Sequence, residues 1–140
     1  MTGQYRQRID AKGRLLVPAK LREELGETFY VTIGGTDLCL AAYTEAGWQK
    51  LTDQLDSMPY SKAKTAIRTI FSNAAKCEPD AQGRILLPQE LRTYANLNRD
   101  VVVAGASKRA EIWDAEAWDK LNAEAMDPTN LAALMEELGI

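Results

Sequence analysis

DAQGRILLP, at residues 80–88, shows how the chain is organised, because DAKGRLLVP at residues 10–18 is a near copy of it. The offset of seventy residues holds well beyond these nine positions. Thirteen residues between Asp10 and Leu51 are identical to the residue seventy positions later. Internal repetition on this scale indicates a duplicated structural unit. The sequence therefore predicts two copies of a strand–turn–strand–helix unit.

Each copy contains a tight turn of the form Asp-x-x-Gly. In the first copy, Asp10 and Gly13 occupy the first and last positions of a type I turn, where these residue types are favoured. An Asp carboxylate can accept backbone N–H groups, and Gly adopts the positive φ that closes such a turn. Arg14 in the first copy and Arg84 in the second then begin the returning strand. The pattern predicts two hairpins, each with an arginine beside its turn.

The segments around these turns carry strand and helix signals. Pro18 and Pro88 suit the start of short helices, at 19–25 and 89–95. Thr44 is a favoured N-cap for a helix reaching about Leu55, and Ser61 is a candidate cap for the helix after it. Runs rich in β-formers predict strands at 5–9, 14–17, 29–33, 38–43, 75–78, 84–87, 101–104 and 111–113.

The size and composition of the chain indicate one globular unit. A repeat of about fifty residues buries too little apolar surface to be stable alone, so the two copies should share one core. Hydrophobic residues make up 46% of the 140 and charged residues 26%. No run approaches the ~20 apolar residues of a membrane span, and the first residues do not resemble a signal peptide. We expect a cytoplasmic protein without a membrane partner.

The residues needed for metal binding and for most hydrolytic catalysis are scarce. The chain has no His, which removes Ser-His-Asp and Cys-His catalysis. Cys39 and Cys77 have no other ligand near them in sequence, so we interpret them as buried thiols. Asp10 and Asp80 could be imagined as paired carboxylates, but each has a role in its turn. The sequence predicts no enzyme, no metal and no cofactor.

The net charge is −3, but its distribution is uneven. Residues 4–14 carry a net charge of +3, residues 60–76 a net charge of +4, and residues 108–140 a net charge of −5. A basic front on an acidic protein is compatible with nucleic-acid binding, because the local distribution matters more than the sum. For Lys62, Lys64 and Arg68 the simpler interpretation is a solvated helix face.

Two Asp-x-x-x-Arg hairpins, each followed by Pro-x-x-Leu-Arg, resemble the MraZ family of bacterial transcriptional regulators. The similarity extends from Tyr5 to Trp118, and its most specific part is CEPDAQGRILLP at residues 77–88, with EIWD at 111–114. The resemblance implies an α+β fold of tandem swapped-hairpin, AbrB-like β-barrel repeats that form a pseudo-twofold unit with flanking helices. It places a SpoVT-AbrB-like domain at 5–52, a connecting helix at 53–73, a second such domain at 74–121 and a helical tail at 122–140.

The resemblance also implies a function. Proteins of this family are sequence-specific DNA-binding regulators that act on direct repeats upstream of their own operon of cell-division and cell-wall genes. They assemble into ring-shaped homo-oligomers, which implies an octamer or a dodecamer here. The expected partners are promoter double-stranded DNA and further copies of the chain, with no small-molecule substrate. The expected location is the cytoplasm, in association with the nucleoid.

An arginine presents a fork that fits guanine O6 and N7, and a two-stranded ribbon fits the major groove. Arg14 and Arg84 are therefore the main candidates for base contact, and a turn Asp that braces an Arg would position it. The first hairpin should contribute more to DNA affinity, because the second has Gln82 in place of Lys12. Attraction to phosphate increases with the number of cationic side chains. The predicted DNA-binding residues are Arg6, Arg8, Asp10, Lys12, Arg14, Asp80, Gln82 and Arg84.

Other interpretations remain open at this stage. The same scaffold could be an interaction or assembly module that binds a protein rather than DNA. Trp48, Trp113 and Trp118 are expected to anchor the core rather than to stack on bases. The apolar stripe of the tail is expected to pack as part of the core, with a subunit contact as the competing interpretation; its members are Leu131, Leu134, Met135 and Leu138.

Overall fold

The computed structural model describes all residues from Met1 to Ile140. Each half has the same order of elements: two strands, a short helix, two strands and two helices. The first half contains β1 (Gln4–Arg8), β2 (Arg14–Leu16), α1 (Ala19–Leu25), β3 (Phe29–Ile33), β4 (Leu40–Thr44), α2 (Glu45–Asp56) and α3 (Tyr60–Ser72). The second half contains β5 (Ala75–Cys77), β6 (Arg84–Leu86), α4 (Gln89–Tyr94), β7 (Asp100–Ala106), β8 (Arg109–Asp114), α5 (Ala115–Ala125) and α6 (Pro128–Leu138).

The strands form two antiparallel sheets in which the halves are interleaved. The larger sheet has six strands in the order β1-β7-β8-β4-β3-β5, and the smaller is a ribbon of β2 and β6. β1 pairs with β7, and β5 pairs with β3. The first strand of each half therefore lies beside a hairpin of the other half.

The α+β class is confirmed, but the predicted closed barrel is wrong. β1 and β5 are the two edges of the six-stranded sheet and do not pair with each other, so the sheet stays open. The reason lies at the tight turns. Past the turn, β2 keeps only the single bridge Ile9↔Leu15 to the strand before it and pairs along its length with β6. The returning strands form their own layer instead of closing the sheet.

One hydrophobic core joins the two halves. Leu15 and Ile85 face each other across the ribbon and are buried beneath it. They belong to one cluster with residues of both halves, including Phe29 from β3 and Val101 from β7. The ribbon therefore lies over the shared core with its inner face apolar.

The helix starts follow the local capping chemistry. Thr44 Oγ1 accepts a hydrogen bond from the Gly47 N–H at 2.9 Å, which confirms the predicted cap of α2. The predicted cap at Ser61 is wrong, because α3 starts directly after Pro59 and Ser61 lies in its first turn. The Pro59 carbonyl accepts the Lys62 and Ala63 N–H groups, and no side chain caps this helix.

The prediction that the tryptophans anchor the core is confirmed for Trp113, whereas Trp48 and Trp118 are half-buried and pack against other aromatic rings. The Trp48 ring lies 4.9 Å from the rings of both Tyr30 and Phe71 and so ties α2 and α3 to the sheet. Trp113 is buried, with its ring 5.9 Å from that of Trp118.

The C-terminal helix α6 follows α5 as α3 follows α2. No residue of α6 is buried, and its apolar side chains are exposed. The expectation that this stripe packs into the core of its own chain is therefore wrong; the main contact of α6 is with the neighbouring α5. None of the helices combines the length and the apolar content that a bilayer-spanning helix needs.

Both cysteines are buried and unpaired, as predicted. Burial raises the pKa of the Cys39 thiol to about 12 and that of Cys77 to about 11. Only the thiolate is nucleophilic, so both thiols should be inert in the folded protein at pH 8. We expect a chromogenic disulfide reagent to label the native protein very slowly and both thiols rapidly in guanidinium chloride. Rapid labelling of the native protein would contradict their burial.

Candidate nucleic-acid interface

The first turn is organised by the carboxylate of Asp10. Asp10 Oδ1 accepts hydrogen bonds from the Lys12 and Arg14 N–H groups, both at 2.9 Å. Gly13 closes the turn with φ at +82°, and its N–H donates to the Asp10 carbonyl at 3.0 Å. The second turn repeats this arrangement around Asp80. The sequence prediction of two Asp-x-x-Gly turns is confirmed.

Each turn carboxylate also holds an arginine. Arg14 Nε donates to Asp10 Oδ2 at 2.7 Å, and Arg84 Nε donates to Asp80 Oδ2 at 3.0 Å. The Arg14 N–H lowers the pKa of Asp10 and the Arg84 N–H lowers that of Asp80, with the guanidinium groups adding to the effect. Both carboxylates are thus ionised at neutral pH. The terminal nitrogens of both arginines make no hydrogen bond within the chain.

The β2–β6 ribbon brings the two arginines together. Arg14 pairs with Leu86, and Leu16 pairs with Arg84. Alternate residues of a strand point to opposite faces, so both arginines lie on the face away from the core. Diagonal neighbours of this kind are about 7–8 Å apart. The ribbon therefore carries both arginines on one face, each held by the aspartate of its own turn.

Each turn is locked against the strand end of the other half. The Val17 N–H donates to the Gly83 carbonyl and the Leu87 N–H to the Gly13 carbonyl, both at 2.9 Å. These bonds close the ladder of the ribbon at its two ends. The positions of the two arginines are thus set by both halves together.

Two arginines that the sequence analysis did not select lie near the first turn. Arg92 of α4 and Arg99 line a shallow cavity of about 340 Å³ together with Asp10 and Ala11. The Arg92 guanidinium lies so close to Gly13 that a Cβ there would be 3.1 Å from it. The repeat pairs Arg92 with Arg22, but only the fold reveals which turn each one contacts.

The second turn has an acidic surrounding instead. A cavity of about 570 Å³ beside Asp80 is lined by Glu23, Glu27 and Glu78, with Arg22 as its only cation. Asp80 itself adds a further negative charge. The two turns are thus similar in backbone but opposite in the charge that surrounds them.

Arg6 and Arg8 lie on β1, outside the ribbon, and each already has an acidic partner. Arg6 is ion-paired with Asp119 of α5, and Arg8 Nε donates to Asp100 at 3.1 Å. Lys12 and Gln82 are exposed at the tips of their turns. The structure therefore groups the residues of the turns and ribbon and leaves the β1 arginines apart; the grouped residues are Asp10, Lys12, Arg14, Asp80, Gln82 and Arg84.

Comparison with known proteins agrees with this architecture. The family model described as "MraZ protein, putative antitoxin-like" matches twice, over residues 1–68 and 70–137. A curated protein of Desulforamulus reducens named Transcriptional regulator MraZ is 48% identical over 125 residues, which cover 88% of this chain and 87% of the relative. Those of the same name from Moorella thermoacetica (46% over 127 residues; 89% and 88%) and Caldicellulosiruptor saccharolyticus (43% over 143 residues; 100% and 99%) are also similar. Because these matches extend over most of its length, this chain belongs to the MraZ family.

Proposed function

We propose that this chain is a transcriptional regulator that binds DNA through the β2–β6 ribbon, and not an enzyme. The observation that carries the proposal is the pair formed by Arg14 and Arg84 on the outward face of the ribbon, each held at Nε with its terminal nitrogens free. The major groove of B-DNA admits a two-stranded ribbon, and a free guanidinium fork fits guanine O6 and N7. The relatives are named transcriptional regulators, which supports the same conclusion.

The residues of the two turns have distinct roles in this proposal. Arg14 and Arg84 contact bases, and the two turn aspartates orient them without touching DNA themselves. Lys12, exposed at its tip, contacts phosphate, while Gln82 offers a neutral polar contact at the equivalent place.

The remaining predicted residues have a weaker role. Arg6 and Arg8 can reach phosphate only by giving up Asp119 and Asp100 as partners. The cost of that exchange is small, because exposed ion pairs contribute little stability. The net gain in phosphate attraction is nevertheless small, because the carboxylates of Asp119 and Asp100 stay close to the two arginines and repel phosphate.

We propose further that the first hairpin binds more strongly than the second. Arg92 and Arg99 extend the positive surface beside the first turn, so the phosphates on that side are attracted by residues of both halves. On the other side, Glu23, Glu27 and Glu78 repel phosphate. A binding surface with one strong and one weak end has a defined orientation on DNA. In direct repeats every site has the same orientation, so such a surface fits them.

The exchange of first strands between the halves supports the interpretation of the fold as tandem swapped hairpins. On this interpretation the two SpoVT-AbrB-like domains are residues 5–52 and 74–121, joined through 53–73 and followed by the tail 122–140. The stripe on α6, fully outside the core, supports assembly of several copies into a ring. A ring would multiply a weak contact through effective concentration. The direct repeats upstream of the protein's own gene are the proposed target, at the nucleoid.

A second candidate function is favoured by the same helix. The exposed apolar residues of α6 are typical of an interaction surface, so the chain could serve as an assembly module that binds no DNA. The two functions differ in what they require of the ribbon. Only the regulator needs the free guanidinium groups of Arg14 and Arg84.

Salt dependence separates these functions. We expect the affinity for the duplex upstream of the gene to fall steeply with salt, with a logarithmic slope of about −0.9 for each phosphate neutralised. Lys12→Ala should reduce that slope by about 1 per engaged subunit, because one phosphate contact is lost. The measurement is fluorescence anisotropy of a labelled duplex from low to physiological salt. An affinity that barely changes with salt would contradict the proposal.

A further inference from the structure

The outward face of the β2–β6 ribbon carries two leucines that the DNA-binding residues do not account for. Leu16 is 40% exposed and Leu86 is 60% exposed. The residues that directly precede them, Leu15 and Ile85, are buried in the core. Single exposed leucines are common on protein surfaces and need no explanation. These two, however, occupy equivalent positions in the repeat and lie on the face that carries the arginines.

Each of these leucines lies directly across the ribbon from an arginine of the other half. Leu86 pairs with Arg14, and Leu16 pairs with Arg84. Side chains paired in this way have their Cβ atoms about 4.5–5.5 Å apart. The face therefore consists of two identical units, each with one cationic fork and one branched apolar side chain. DNA that is complementary to this face must offer an apolar group to each leucine as well as a guanine to each arginine.

The major groove offers one prominent apolar group, the C5 methyl of thymine. We propose that Leu16 and Leu86 determine specificity by contacting thymine methyl groups next to the guanines that Arg14 and Arg84 contact. This inference rests on the proposed function, because it assumes that the ribbon enters the major groove. Successive bases of one strand are about 3.4 Å apart along the helix axis. An arginine and a leucine whose Cβ atoms are about 5 Å apart can thus reach neighbouring base pairs, so each unit would contact a guanine beside a thymine.

A second copy of the chain is a less suitable occupant for this face. Covering Leu16 and Leu86 with protein would also remove Arg14 and Arg84 from water. Their turn aspartates engage only one nitrogen of each guanidinium, so the remaining N–H groups would be left without acceptors. Base edges and phosphates supply those acceptors, whereas an apolar protein surface does not. The composition of the face therefore favours DNA.

The test removes the methyl group from the DNA and the leucine from the protein, separately and together. The probe is the duplex upstream of the gene, synthesised with thymine or with uracil, which differs only in lacking the C5 methyl. We expect uracil to weaken binding of the unaltered protein by about fourfold for each contacted methyl group. Leu16→Ala and Leu86→Ala should each bind the thymine duplex more weakly and show a smaller preference for thymine over uracil. Leu38→Ala, which alters a leucine 61% exposed outside the ribbon, serves as the matched control and should keep the full preference.

The inference is overturned if the leucine variants retain the full thymine preference, or if the unaltered protein binds both duplexes equally. A leucine variant with a changed oligomer size and an intact thymine preference would also overturn it, since the leucines would then be subunit contacts. Melting temperatures of all variants exclude misfolding as the cause. If the unaltered protein does not distinguish the upstream duplex from a scrambled one, the proposed function itself has failed. Specific binding without a methyl effect rejects the leucine contact alone.

Discussion

Arg14→Ala should lose most of the preference for the upstream duplex over a scrambled duplex of equal composition. The expected cost is about 1–3 kcal/mol per engaged site, the range for a good bidentate contact to guanine. Arg84→Ala should cost less, because the acidic side chains around the second turn already weaken its approach to DNA. The measurement is the affinity of each purified variant for both duplexes.

Two controls separate base reading from charge and from folding. Lys12→Ala should weaken binding to both duplexes alike, as expected for a phosphate contact. Arg68→Ala removes an exposed arginine of α3, which belongs neither to the ribbon nor to the two turns, and should leave the preference unchanged. If Arg14 and Arg84 only brace their turns, both variants should melt at lower temperature and affect DNA binding equally.

Neither half of the chain should fold when it is produced alone. Fragments 1–68 and 70–137 separate β1 from β7 and β5 from β3, so each fragment loses the partner of its first strand. The cut also divides the single core that contains residues of both halves. A fragment of this size buries too little apolar surface to replace what it loses. Circular dichroism should show each fragment largely unfolded, without a cooperative thermal transition.

Mixing the two fragments provides the control. Because the missing partners are then present, the mixture should regain strand and helix signal and elute as a complex in size-exclusion chromatography. Two fragments that fold independently as stable monomers would contradict the shared core.

Local chemistry made much of this fold predictable. The Asp-x-x-Gly turns, the Arg beside each turn and the Thr44 cap depend on residues within a few positions of one another. The seventy-residue repeat predicted the equivalence of the halves, and the size of each half predicted a shared core. Each of these features follows from turn geometry, capping or burial, which a sequence expresses directly.

Features that depend on distant pairing could not be predicted in this way. The open sheet arises because β2 pairs with β6 rather than with β1, a choice made between strands far apart in sequence. Arg6 and Arg8 likewise form ion pairs with acids more than ninety residues away in sequence. The positive charge of the first hairpin is therefore lower than its own sequence indicates. Arg99 lies beside the first turn, and this too depends on packing between segments far apart in sequence.

The proposed contact between Arg14 of the ribbon and a guanine base can be tested at a single atom. The most direct measurement replaces guanine by 7-deazaguanine in the upstream duplex, which removes the N7 acceptor and leaves pairing intact. We expect the unaltered protein to bind the modified duplex more weakly. The Arg14→Ala variant should lose clearly less affinity on the same change, because only the contact of Arg84 then remains to be lost. An equal loss of affinity for both proteins would show that Arg14 does not contact that atom and would contradict the account.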